Sequence, residues 1–111
     1  MAAYVVVIRD KTRDPAELAA YSPKAKAASA GHPLIIRALH GRQRVLEGPD
    51  IEAVSILEFP TFEDAERWYD TPAYREALAH RLRGADYRAV IVESHSVEGG
   101  SPAIAHGNAA R

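Results

Sequence analysis

Residues 4–8 are Tyr4-Val5-Val6-Val7-Ile8, an uninterrupted run of apolar and mostly β-branched side chains. In a β-strand successive side chains point to opposite faces, so this run presents apolar groups on both faces. Strands of this kind are covered on both sides in folded proteins. The run therefore predicts a strand in the middle of a sheet.

The residues after this strand predict a helix. The stretch Asp14-Pro15-Ala16-Glu17 supplies an N-cap side chain, a proline at the first helical position and a carboxylate in the first turn. The helix is expected to end near Gly31. Because Pro23 removes a backbone donor inside it, we expect a kink or break around Tyr21-Ser22.

Two strands follow and form a predicted hairpin. Residues 34–40 predict the second strand, with a bulge at Gly41 and a continuation through residues 44–46. Residues 53–59 predict the third strand, which Pro60 ends.

Thr61 and Thr71 predict two further helix starts. Thr61 with Asp64 three residues later is typical of a capping box, and Thr71 precedes a proline that suits the first helical position. The apolar face of the second of these helices is predicted to consist of Tyr74, Ala77, Leu78 and Leu82. Gly84 ends this helix, and residues 87–95 predict the fourth strand.

The order of these elements, βαββαβ, is typical of a ferredoxin-like α+β fold, with a four-stranded antiparallel sheet and two helices on one face. Residues 1–97 form the predicted domain. Residues 98–111 are rich in Gly, Ser, Pro, Ala and His without periodicity, and they predict a flexible tail.

Two helices leave the second face of the sheet unpartnered, although its residues are apolar. In strands two and four, odd-numbered and even-numbered positions alike carry apolar side chains, so both faces of each strand are apolar. These residues are Leu34, Ile35, Ile36 and Leu39 in strand two and Val90, Ile91 and Val92 in strand four. Apolar patches of this size are uncommon on monomers, so we expect a homodimer in which two sheets stack. The alternative is a monomer whose open face is covered by residues 98–111.

Composition excludes several classes of function. The 111 residues carry 14 basic and 15 acidic side chains, and a net charge of -1 offers no excess field for nucleic acid or an anionic membrane. The absence of cysteine excludes thiolate nucleophiles and disulfides. The longest apolar run, residues 2–8, is far shorter than the roughly 20 residues of a membrane span. We expect a cytoplasmic protein.

No motif for a cofactor or a metal is present. The five histidines, at positions 32, 40, 80, 95 and 106, include no pair four residues apart and no His-x-His. There is also no glycine-rich phosphate loop. The sequence predicts neither a cofactor nor a metal ion.

Three stretches resemble a known family. They are Val45-Leu46-Glu47-Gly48, Glu58-Phe59-Pro60 and Ala65-Glu66-Arg67-Trp68-Tyr69-Asp70-Thr71-Pro72-Ala73-Tyr74. Over roughly residues 2–96 the chain resembles the family of the domain of unknown function 1330, part of the dimeric α/β-barrel superfamily. The resemblance implies a ferredoxin-like protomer whose sheets pair into a barrel. The superfamily includes cofactor-free monooxygenases, isomerases and cyclases as well as haem-binding members, so it implies no single reaction.

One departure from the family pattern concerns the second strand. Where relatives carry Arg-Gly-Gly, this chain has Arg37 followed by Ala38-Leu39-His40-Gly41-Arg42. Either Arg37 or Arg42 therefore corresponds to the basic residue of the family. Arg37 could hold a carboxylate or enolate through its planar guanidinium, or it could form a solvated salt bridge.

Two titratable residues are candidate acid/base groups. Glu58 has apolar neighbours of the same parity, Val54 and Ile56, which favours a partly buried carboxylate. Alternatively, Glu58 pairs with an arginine or with the backbone. His40 could project into the same cavity as Glu58, or it could be an edge-strand histidine at a bulge.

Four aromatic residues lie beside the helical interruptions: Tyr21, Trp68, Tyr69 and Tyr74. Aromatic residues at helical spacing bury large areas, so packing in the core is one interpretation. In the other interpretation they form the wall of a pocket that binds a substrate together with Arg42.

The leading hypothesis is a cofactor-independent enzyme that acts on a small organic molecule by proton transfer, as an isomerase, cyclase or monooxygenase. In it, Glu58 or His40 is the acid/base and Arg37 or Arg42 stabilises an anion. The alternatives are a non-catalytic dimeric ligand-binding or structural protein and a haem-binding barrel.

Overall fold

The computed structural model describes residues 1–95, which contain four strands and three helices. These are β1 (Ala3–Thr12), α1 (Pro15–Ser29), β2 (Ile35–Leu39), β3 (Ala53–Phe59), α2 (Phe62–Tyr69), α3 (Pro72–Gly84) and β4 (Ala85–Glu93). The predicted tail, residues 98–111, lies outside the described residues, as do residues 96 and 97 at the end of the predicted domain.

The four strands form one antiparallel sheet in the order β2-β3-β1-β4. β1 pairs with β3 on one side and β4 on the other, so that Val5 lies opposite both Leu57 and Ile91. The predicted ferredoxin-like α+β fold and the central position of the first strand are confirmed. A strand that is apolar at both parities buries most of its surface where neighbours flank it on each side.

Side-chain caps begin all three helices at the predicted residues. Asp14, Thr61 and Thr71 each accept a hydrogen bond from a backbone N–H two or three residues later, at 3.1, 3.0 and 3.2 Å. Such caps satisfy donors that the first helical turn leaves without a partner, and each contributes about 1 kcal/mol. Local sequence therefore determines where the helices start.

α1 is continuous across Pro23, so the predicted break at Tyr21-Ser22 does not occur. A proline inside a helix removes one donor, but the turns on either side keep their own hydrogen bonds. Contacts with α3 hold both sides of the proline. Before it, Glu17 accepts a hydrogen bond from Arg83 at 3.0 Å, and after it Lys24 pairs with a glutamate of α3 at 3.5 Å.

β2 differs from the prediction in its bulge and its length. Its register with β3 shifts at Arg37 and not at Gly41. The strand ends immediately before His40, and residues 44–46 do not resume it. His40 is the reason, because its φ of 55° lies in the left-handed region and turns the chain out of the extended conformation.

The core lies between the sheet and the helices. Trp68 is buried there, with its ring centre 5.4 Å from that of Phe59 and 4.2 Å from that of Tyr74. The predicted place of Leu82 on the inner face of α3 is wrong, since Leu82 is 52% exposed whereas Arg81 is 3% exposed. Arg81 follows Tyr74 by two helical turns and so continues the same buried stripe.

The helices cover one face of the sheet and leave the other uncovered. We call the second surface the open face; it is formed by Tyr4, Val6, Ile8, Ile35, Val54, Ile56, Glu58, Val90 and Val92. Several of its apolar side chains reach solvent, and Val90 is 57% exposed. This is the apolar unpartnered face that the sequence predicts.

Candidate functional site

A cavity of about 500 Å³ lies between α1 and the helix-facing side of the sheet. It exists because α1 packs mainly against α3 and leaves space above the strands. Small-molecule pockets span roughly 300–1,000 Å³, so the cavity suits a small organic ligand. Most of its walls are apolar and include Val7, Leu18, Ala25, Ile36 and Leu57.

The cavity has a buried inner end and an open mouth. Trp68, Tyr74 and Arg81 form the inner end, where all three side chains are buried. At the mouth, along β2, Ile36 and Leu39 are each more than half exposed. A molecule that enters past β2 therefore meets aromatic rings and a guanidinium at the end of an apolar passage.

Two tyrosine hydroxyls meet in the cavity wall. The hydroxyl oxygens of Tyr21 and Tyr74 are 2.6 Å apart. Burial raises the pKa of both phenols, and the nearby charge of Arg81 offsets this only in part, so both remain protonated at neutral pH. One hydroxyl donates its hydrogen to the other oxygen, so the second hydroxyl hydrogen is left to donate to a ligand oxygen.

Arg81 is the one buried charged side chain among residues 1–95. Its guanidinium carbon lies 4.6 Å from the ring centre of Tyr87 and 5.9 Å from that of Tyr21. In this part of the chain no carboxylate pairs with it, and its Nε has no hydrogen-bond partner. Burial of a charge is costly unless a partner satisfies it.

His40 lines the cavity near its mouth. Its backbone N–H donates to the carbonyl oxygen of Val54 at 3.0 Å, which holds the left-handed turn in place. Partial desolvation at the cavity mouth, together with the positive charge of Arg9, lowers the pKa of the imidazole. His40 is therefore neutral at pH 7 and has a ring nitrogen that can accept a proton.

The charged residues that line the cavity are basic. Arg9, Lys26 and Arg81 contribute to its surface, and no Asp or Glu does so within the described residues. Arg9 is neutralised by Glu52, with Nε and Oε1 3.0 Å apart, whereas no carboxylate of residues 1–95 neutralises Arg81. The cavity is thus electrostatically suited to a negatively charged group.

Glu58 and Arg37 lie together on the other side of the sheet. The Nε of Arg37 donates to Oε1 of Glu58 at 2.8 Å, and Glu58 lies on the open face opposite Tyr4. The expectation that Glu58 and His40 project into one cavity is therefore wrong. The register is responsible, because it places Glu58 opposite Ile35 on the open face. His40 follows the cavity-lining Leu39, and its left-handed turn takes it out of the alternation of the strand, so that it also lines the cavity.

The remaining predicted binding residues are divided among three environments. Tyr21, Trp68 and Tyr74 line the cavity. Tyr69 lies outside it, in a separate depression beside Val5 and Ile91. Arg42 is exposed on the connection between β2 and β3 and does not line the cavity.

Sequence reasoning missed Arg81 and its neighbour Tyr87. A signal for Arg81 was present, because the residue lies seven positions after Tyr74 on a stripe that is otherwise apolar. Arginine is rarely fully buried without a partner, so an arginine at such a position indicates a specific role. Tyr87 carried no comparable signal, since its contact with Arg81 joins separate elements.

Residues 1–95 contain no group of metal-ligating side chains and no helix that could cross a membrane. No three His, Asp or Glu side chains in this range are grouped so as to hold a metal ion. None of its helices combines the length and the apolar character that crossing a membrane requires.

Residues 2–95 match the family model described as domain of unknown function (DUF1330). No curated protein matches the chain.

Three similar solved structures illustrate the fold. RPA0582, a protein of unknown function from Rhodopseudomonas palustris, is 18% identical with a TM-score of 0.68, over 86% of this chain and 83% of that one. A dimeric ferredoxin-like protein of unknown function from Thermobifida fusca is 16% identical with a TM-score of 0.59, over 85% and 92%. A variant of SnoaB, a cofactor-independent oxygenase from Streptomyces nogalater, is 10% identical with a TM-score of 0.60, over 86% and 93%. At these identities the similarity demonstrates a common fold.

Proposed function

We propose a function from the premise that this chain belongs to the family of the domain of unknown function 1330. In this proposal the cavity binds a small organic molecule, and the protein is a cofactor-independent enzyme that moves a proton on that molecule. The observation that carries it is a cavity of about 500 Å³ with apolar walls, a neutral imidazole near its mouth and a phenolic O–H free to donate. The shared fold with SnoaB, a cofactor-independent oxygenase, supports it.

His40 is the base in this proposal. Its neutral imidazole accepts a proton from a carbon or hydroxyl of the substrate, and the electron pair left behind moves onto a substrate oxygen. The free O–H of the Tyr21 and Tyr74 pair donates to that oxygen as its negative charge grows. Return of the proton to a different atom completes an isomerisation or cyclisation, whereas a monooxygenation also requires O₂ as the oxidant.

We also propose that the protein acts as a homodimer in which two open faces stack. The solvent-exposed apolar side chains of that face support the proposal, and so does the dimeric state of the similar protein from Thermobifida fusca. Glu58 and Arg37 would then face the space between the two sheets. The cavity, on the opposite side of the sheet, would remain open to solvent.

Deuterium exchange tests the proposed chemistry. Binders from a library of small ketones, phenols and carboxylic acids are identified by ligand-observed NMR and then incubated with the protein in D₂O. We expect catalysed deuterium incorporation at one carbon, and a rate at least about 10²-fold lower in His40→Gln with binding retained. The matched control is His32→Gln, which alters a histidine outside the cavity and keeps the rate.

Other outcomes would contradict this assignment in different ways. Exchange that persists in His40→Gln but is lost in Glu58→Gln would show that the reaction takes place at the open face and not in the cavity. Binding without any exchange would contradict the enzyme and favour a non-catalytic dimeric ligand-binding protein. The Arg37–Glu58 ion pair favours this second candidate, because each of these two candidate catalytic residues already satisfies the other.

A further inference from the structure

We infer that Arg81 holds an anionic group of the ligand, and that the ligand is a small organic acid with a planar, largely apolar body and one carboxylate. This inference rests on the proposed binding function of the cavity. It adds the charge of the ligand and the residue that recognises it.

The first step of the argument is an unbalanced charge at the inner end of the cavity. Arg81 is 3% exposed, its Nε lacks a hydrogen-bond partner, and no carboxylate in residues 1–95 pairs with it. The protein groups around this buried cation therefore leave its Nε–H without an acceptor. A bound carboxylate would supply what is missing, since a guanidinium and a carboxylate form two parallel hydrogen bonds.

The second step concerns the rings beside Arg81. The guanidinium lies over the ring of Tyr87, with 4.6 Å between its carbon and the ring centre. The electrons of the aromatic ring stabilise the positive charge, and the flat face of the guanidinium makes this contact. It leaves the Nε–H, which lies in the plane of the guanidinium, available to an acceptor.

The third step is the match between the rest of the cavity and an aromatic acid. No acidic residue of the described chain lines the cavity, so nothing there repels a carboxylate. The free O–H of the Tyr21 and Tyr74 pair, close to Arg81, supplies a second donor. Trp68 and the aliphatic side chains of β2 and β3 offer apolar surface to a planar body.

The competing explanation is structural, in which Arg81 only joins α3 to β4 through Tyr87. The two explanations differ in what Arg81→Met does to the ligand-free protein. Methionine keeps an unbranched apolar side chain and removes a buried charge that lacks a partner, so we expect an unchanged or higher melting temperature. A structural clamp would instead lose stability.

Calorimetric titration with matched ligand pairs tests the inference. The probes are benzoate with benzamide and 2-naphthoate with 2-naphthamide, which differ chiefly in charge within each pair. We expect wild-type protein to bind at least one carboxylate about tenfold or more tightly than its amide, because a charged hydrogen bond contributes that much. Arg81→Met should abolish this preference and leave amide binding nearly unchanged, and Arg81→Lys should retain part of it.

Arg42→Met is the matched control, since it removes an exposed arginine outside the cavity and should keep the full preference. Failure of both carboxylates to bind more tightly than their amides would overturn the inference, as would a preference that survives in Arg81→Met. Binding of a neutral compound in the cavity would then still support the proposed function. Conversely, a carboxylate preference without His40-dependent exchange would leave this inference standing and refute the proposed enzyme.

Discussion

The open face and the inner end of the cavity differ in whether their arginines are paired with carboxylates. Beside the open face, Arg37 pairs with Glu58 at 2.8 Å, and Arg88, which lies opposite Ile8, holds Asp10 through two hydrogen bonds of 2.9 Å. In the cavity on the other face, Arg81 has no carboxylate partner within the described residues. The protein thus neutralises the charges beside the face that we expect a second sheet to cover.

The two faces also differ in what they contribute to folding. The helix-facing side carries the aromatic core, where Trp68 packs between Phe59 and Tyr74. The open face keeps apolar side chains in solvent, so in one protomer it contributes little hydrophobic stabilisation. Four substitutions or conditions test this difference, from the largest expected effect to the smallest.

Trp68→Ala should lower the free energy of unfolding by about 3–5 kcal/mol, because it removes the largest ring of the core and the hydrogen bond from Nε1 to Ser29. It also opens the inner end of the cavity. Urea denaturation followed by circular dichroism measures the loss. Leu82→Ala, at an exposed position of α3, should cost about 1 kcal/mol or less. Equal losses in the two variants would contradict the assignment of the core to the helix-facing side.

Val90→Glu should separate the proposed dimer without unfolding the protomer. Two-fold symmetry would place two unpaired carboxylates in an apolar interface, at a cost of at least about 3 kcal/mol per dimer. Sedimentation at micromolar concentration should show the mass fall from about twice to once 12.1 kDa. Ala79→Glu, on the exposed side of α3, is the control that should remain dimeric. A wild-type mass of 12.1 kDa under these conditions would refute the stacked sheets.

Gly84→Ala should lower stability by about 1–3 kcal/mol through overpacking where α3 approaches α1. A Cβ at position 84 would lie 2.6 Å from Cδ2 of Leu18 and 3.2 Å from its backbone nitrogen. Because Leu18 lines the cavity, we also expect weaker ligand binding. Gly41→Ala is the matched control, since no atom lies within 4 Å of its added Cβ. The overpacking argument fails if the two variants melt at the same temperature.

Acid should destabilise the helix-facing side gradually, and this is the smallest effect. Hydrogen bonds from Arg83 and His80 hold the pKa of Glu17 below its usual 4.5, and those from Thr12 and Arg9 do the same for Glu52. The unfolded chain then binds protons more readily than the folded one, so this stabilisation is complete above about pH 4.5 and is lost as the pH falls.

Denaturation in urea between pH 3 and pH 6 measures this loss. Glu17→Gln removes one of the two carboxylates and should flatten the pH dependence. An unchanged slope in that variant would show that Glu17 does not contribute. Both carboxylates are partly exposed, so solvent weakens these interactions, which is why we place this effect last.

Predictions from the sequence succeeded where the cause is local. Asp14, Thr61 and Thr71 cap helices because each side chain reaches a backbone donor two or three residues away. They failed where the cause is distant. Pro23 stays inside a continuous helix because contacts with α3 hold both of its sides.

For the candidate site, too, some predictions from the sequence were correct and others were wrong. The sequence drew attention to His40, Trp68 and the two tyrosines, all of which line the cavity. It also grouped Glu58 with His40, but the register places Glu58 opposite Ile35 on the open face, whereas His40 lines the cavity. Register cannot be deduced from composition or periodicity when both faces of a strand are apolar.

By itself, the sequence determined the order of the elements, the central position of β1 and the apolar second face of the sheet. It could do so because side-chain periodicity and helix capping depend on residues only a few positions apart. Only the tertiary structure decided that α1 packs on α3 and leaves a cavity. It also decided that Arg81 lies at the inner end of this cavity with no carboxylate of residues 1–95 beside it. The physical reason is that a cavity and an unpaired charge are properties of several elements packed together. Their positions depend on contacts between residues far apart in the chain.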